Sequence, residues 1–157
     1  MIHRFIAVTL IFAITGVCHA DSISDLHTSL IAKKREQIAA ALDLNKQDNS
    51  EFWEVYDKYE KEQYKHSTDV IKLIRKFNDK YESGLIELQS MLNMQAEFFR
   101  VEGRILQTKQ NYAEFFSNVL SNEDVFRFYQ IETKLDALIR SKIAEKSPLI
   151  APGVNLD

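Results

Sequence analysis

Between Asp21 and Ser147 the chain contains two glycines, Gly84 and Gly103, and no proline. Sheets need a turn every few residues and turns draw on glycine and proline, so this lack of punctuation points to helices that run for many turns. The fold class that follows is all-α. Hydrophobic periodicity and cap residues divide the stretch into four predicted helices, over residues 24–42, 46–83, 85–120 and 122–146. At 1.5 Å per residue the second would be roughly 55 Å long. The expected architecture is therefore an elongated four-helix hairpin-type bundle, a single domain over residues 21–147, followed by a tail at 148–157 that Pro148 opens.

Each predicted helix carries an apolar face. In the first, Leu26, Leu30, Ile31, Ile38 and Leu42 fall near one side, with Lys33, Lys34 and Arg35 mostly on another. The second has Phe52, Tyr56 and Tyr59 at one end and Val70, Ile74, Phe77 and Tyr81 at the other. Its polar middle, residues 60–69, is expected to be solvated, or else to face a partner or a groove. Leu88, Leu92, Phe99, Ile105, Leu106, Tyr112 and Val119 mark the third, and Val125, Phe128, Ile131, Leu135, Leu138 and Ile139 give the fourth its stripe. Gly84 suits a left-handed helix end. Gly103, inside a helix where glycine costs about 1 kcal/mol, is expected at a close helix contact.

Residues 1–20, MIHRFIAVTLIFAITGVCHA, have an early arginine, a short apolar run and small residues before Asp21. That pattern predicts a secretory signal peptide cleaved after Ala20, and the run is too short for a membrane span of about 20 residues. The expected location is the periplasm. Cys18 is the sole cysteine. Valine directly before it argues against lipidation, and cleavage would leave a mature chain without thiol chemistry. The formal net charge is −3, one unit lower once Arg4 is removed. An acidic chain with no long basic block excludes nucleic-acid binding on electrostatic grounds.

A motif occurs twice. Leu44-Asn45-x-x-Asp48 and Leu120-Ser121-x-x-Asp124 each set a leucine before an N-cap residue and a carboxylate three positions on. The cap oxygen can accept from a backbone N–H, the aspartate can reach back toward the cap, and the leucine suits a hydrophobic staple. An antiparallel hairpin at Gly84 would bring both motifs to one end of the molecule. There Phe52, Trp53 and Tyr56 would meet Tyr112, Phe115 and Phe116, joined by Phe126, Phe128 and Tyr129. Core packing is the first reading of this aromatic cluster, because rings bury large areas. An apolar binding surface is the second.

The paired motifs resemble the L-T-x-x-Q motifs of the Spy/CpxP family of periplasmic helical proteins, with Asn or Ser for the threonine and Asp for the glutamine. The surrounding DLNKQDNSEFWEVYDKYEKE and VLSNEDVFRFYQIETKLDALI look still more like an uncharacterised branch of exported proteins in that group. The resemblance implies a curved helical hairpin fold, a homodimer, and ATP-independent chaperone, stress-response or metal-responsive activity. A basic client-binding cradle would require Lys33, Lys34, Arg35, Lys72, Arg75, Lys76, Arg100 and Arg104 to gather on one side.

Catalytic patterns are missing from the sequence. His27 and His66 lack a second histidine or a cysteine one turn away, and Glu60, Glu62 and Asp69 beside His66 are at best weak ligands, so no tight metal site is expected. There is no nucleophile elbow and no glycine-rich phosphate loop. The expectation is a non-enzymatic protein without cofactor that binds unfolded or partner polypeptides. The alternative is a regulatory or scaffolding subunit docking on a membrane sensor or envelope complex, with residues 60–69 and the tail as contact surface.

Overall fold

The computed structural model describes the backbone over residues 19–44 and 49–150, with side chains from Ile23 onward. The described residues form four helices: α1 (His19–Ala41), α2 (Ser50–Glu82), α3 (Leu88–Val119) and α4 (Asn122–Ala144). The fold is an all-α bundle. Apart from His19 and Ala20, the expected leader lies outside the described residues, as do residues 151–157 of the tail. No described helix is long and apolar enough to cross a membrane.

α2 and α3 form the central hairpin, each close to 50 Å long at 1.5 Å per residue. Their contacts run in opposite senses along the two chains: the Tyr59 ring meets Phe116, Gln63 Nε2 donates to the Ile105 carbonyl, and Arg104 pairs with Asp69. The turn between them needs Gly84. Its φ of 66° places it in the left-handed region, its N–H donates to the Tyr81 carbonyl and that of Leu85 to the Lys80 carbonyl. Those two bonds satisfy carbonyls that the helix end leaves open, and glycine takes this φ without a Cβ clash.

Two apolar clusters fill the bundle at opposite ends. One gathers Ile38, Leu42, Leu44, Phe52, Tyr56, Tyr59, Phe116 and Phe128. The other holds Ile23, Ile71, Ile139 and Ile143, with Leu30, Ile31 and Ile74 packed against it. α1 thus spans from one cluster to the other and pairs mainly with α4.

Several sequence expectations shift. α2 begins at Ser50 with Asn49 in the cap position, not after Asn45. Leu44 is drawn into the aromatic core, and Asn49 Nδ2 donates to its carbonyl at 2.6 Å. Gly103 is no close contact: a Cβ there would meet nothing within 4 Å. The polar middle of α2 is not simply solvated either, since Gln63 is buried and Glu60 partly so.

Candidate functional site

Ser121 caps α4 as its residue type predicts, with Oγ accepting from the Asp124 N–H at 3.1 Å. The Asp124 carboxylate accepts from the Ser121 hydroxyl at 2.8 Å rather than from the cap N–H. Leu120 and Val125 both pack against the aromatic cluster, which fixes the entry of the chain into α4. Of the first motif, Asn45 and Asp48 lie outside the described residues, and Leu44 is buried. Only one of the two motifs is thus seen working as a helix start.

The aromatic residues divide. Phe52, Tyr56, Phe116 and Phe128 are buried, with ring centroids of Phe116 and Phe128 4.4 Å apart and Phe52 in contact with both. Trp53, Tyr112 and Tyr129 are half-buried around them. Phe115 and Phe126 are more than half exposed and form no part of the core. Tyr59, at the centre of the cluster, touches Tyr56, Tyr112, Phe116 and Phe128.

Next to these rings lies a polar layer that reading the sequence did not locate. Buried Lys34 of α1 donates to Glu132 Oε1 of α4 at 2.7 Å, to Glu60 Oε2 of α2 at 3.3 Å and to Asp136 Oδ1 of α4 at 3.3 Å. Tyr59 donates to the same Glu132 oxygen at 2.7 Å, Tyr56 to Glu60, and Lys109 of α3 pairs with the other oxygen of Asp136. All four helices contribute. Burial alone would lower Lys34, but its three carboxylate neighbours outweigh this and hold its ammonium above the ordinary lysine range. Burial raises Glu132 against the pull of Lys34, whereas Lys34 and Lys109 overcome burial at Asp136 and keep it low. Tyr59 and Tyr56 are raised by burial and by these carboxylates, and Tyr129 is pushed up to about 12. Desolvation of these groups offsets much of their attraction, so the cluster adds little net stability although removing one partner would be costly.

A signal for the layer was available. Leu30, Lys34, Ile38 and Leu42 repeat every four residues, and Glu132 stands between Phe128 and Leu135 on the stripe of α4. A lysine and a glutamate on the apolar faces of two helices are natural partners across a core.

Of the cationic residues that a basic cradle would require, one is buried and four of the exposed ones are paired or stacked. Lys34 is internal; Arg35 pairs with Asp57 and stacks over Trp53 at 4.1 Å; Arg100 pairs with Glu97; Lys72 and Arg104 share Asp69. Among the described residues no group of three or more His, Cys, Asp or Glu side chains could hold a metal ion.

The outward face of α3 carries a second apolar stripe. Leu88, Leu92, Phe99 and Leu106 are 53%, 50%, 62% and 58% exposed. At 3.6 residues per turn they fall within about 40° of one another. Buried Val101, Ile105 and Thr108 lie on the other side of the helix, toward the bundle. No family model, curated protein or solved structure matches the chain.

Proposed function

We propose that the protein is an exported, cofactor-independent helical protein that holds apolar segments of other polypeptides, the chaperone-like or stress-response activity that the Spy/CpxP resemblance implies. The observation that carries this reading is the outward stripe of α3, where Leu88, Leu92, Phe99 and Leu106 stay exposed although the helix already has a buried face. Contiguous exposed apolar surface of this kind marks interaction sites. Ion pairs such as Arg140 with Glu102 and Arg104 with Glu97 border the helix and keep the surface soluble.

The test is aggregation of a reduced or heat-stressed client with the purified protein at up to equimolar ratio and no ATP. Suppression is expected, and Leu92→Ser/Phe99→Ser/Leu106→Ser should abolish it while leaving the helical content intact. No suppression at any salt concentration removes the chaperone reading.

One observation favours a second reading. Leu92, Phe99 and Leu106 are seven residues apart, the spacing with which one helix seats another. A regulatory or scaffolding subunit docked on one helical partner, or a homodimer through α3, would use the stripe in that way. Pull-down from envelope extracts separates the two: one stoichiometric partner supports docking, and a spread of unrelated proteins supports chaperoning.

A further inference from the structure

Toward the hairpin end the bundle leaves a cleft of about 240 Å³. Isoleucines of all four helices form its wall: Ile31 of α1, Ile71 and Ile74 of α2, Ile105 of α3, and Ile139 and Ile143 of α4. Isoleucine is branched at Cβ and holds essentially one χ1 rotamer in a helix, so such a wall resists swinging inward to fill the space. The packing contacts that the wall lacks are open to a guest.

The charged and polar groups at the cleft are occupied with one another. Lys34 donates to Glu60 and to Asp136, and Arg140 of α4 pairs with Glu102 of α3 at 2.7 Å. Gln63 donates to the Ile105 carbonyl, and Ser67 donates to the Tyr64 carbonyl while its Oγ lies 3.0 Å from His27 Nε2. Burial and the nearby Lys34 lower the His27 pKa, so its ring adds no charge near neutral pH. The two cations that line the cleft, Lys34 and Arg140, therefore match its two carboxylates, Glu60 and Asp136. Glu60 Oε1 accepts no hydrogen bond, but it is buried and offers the cleft no surface.

An ion entering this space would shed its water and find no free counter-charge to replace it. An uncharged apolar molecule has no such loss and gains contact with the wall. Its size follows by proportion: apolar cavities of about 150 Å³ take up benzene, so about 240 Å³ suits a compact guest of about ten carbons. We infer that the cleft binds a compact, uncharged, apolar molecule of that size, seated between the isoleucine wall and Phe98.

The test is an NMR titration of the isoleucine-methyl-labelled protein with naphthalene and with two ions of the same ring size, naphthoate and naphthylmethylammonium. Naphthalene should shift the Ile105 and Ile139 methyls saturably, at one site, and bind at least tenfold more tightly than either ion. Benzene, which leaves part of the space unfilled, should also bind at least tenfold more weakly than naphthalene. Val70→Trp, which fills the cleft from its wall, should abolish binding, with a thermal melt reporting whether the variant stays folded. If it does not fold, the comparison of naphthalene with its two ions still decides. Leu92→Ser/Phe99→Ser/Leu106→Ser changes no residue that lines the cleft and should keep naphthalene binding, so failure of the client reading and failure of this one are told apart. Either ion binding as tightly as naphthalene, methyl shifts that are absent or do not saturate, or loss of naphthalene binding in the stripe variant would overturn the inference.

Discussion

The two ends of the bundle are built from different side chains. At the motif end, the rings of Phe52, Tyr56, Tyr59, Phe116 and Phe128 are buried against one another. Toward the hairpin end, branched aliphatic residues from all four helices line a cleft, and α3 also turns leucines outward. Rings bury more area per residue than isoleucines and pack edge to face, so stability should concentrate where they meet. The open end has the exposed apolar surface and the space that the proposed binding would use. The Lys34 layer stands beside the rings and links all four helices.

Substitutions at the two ends should therefore differ in cost. Phe128→Ala is expected to lose about 3–5 kcal/mol in equilibrium chemical unfolding, because it removes a ring from a cluster that cannot close over the gap. Lys34→Met should cost a similar 3–5 kcal/mol or slightly less, since it strands buried carboxylates, and adding Glu132→Leu should recover part of the loss. Recovery would separate stranded charge from lost packing. Ile143→Ala, which widens an existing space, should fall at about 2 kcal/mol, the low end for such truncations. A cost equal to that of Phe128→Ala would break the contrast. The smallest change, about 1 kcal/mol, is expected for Ser121→Ala, which removes the α4 cap, and thermal melts at one pH resolve it.

Much of the fold was legible in the residues themselves. The absence of glycine and proline announced the helices, Gly84 marked the hairpin turn, and Ser121 the start of α4, because each acts locally. What the sequence concealed depends on tertiary placement. Asn45 is as good a cap residue by type as Asn49, yet α2 begins at Ser50, with Leu44 buried in the ring cluster. Lys34 reads as one of three adjacent surface cations until α4 brings Glu132 to it. Gly103 suggested a close contact that no neighbouring helix makes. Phe115 and Phe126 looked like members of the ring cluster, but their side chains fall on the outer faces of α3 and α4. The polar middle of α2 was open to a groove reading, and Glu60, Gln63 and Ser67 do line the cleft, but Ile31, Ile105 and Ile139 on its other side read as ordinary core positions.

The difference between the ends is measured most directly by amide hydrogen exchange, residue by residue, under native conditions. Amides of residues 55–62 and 110–117, around the rings, should exchange only through global unfolding, while those of 74–81 and 90–98 exchange faster through local opening at the hairpin end. Equal protection along both arms of the hairpin, or stronger protection at 74–81 than at 55–62, would contradict the account.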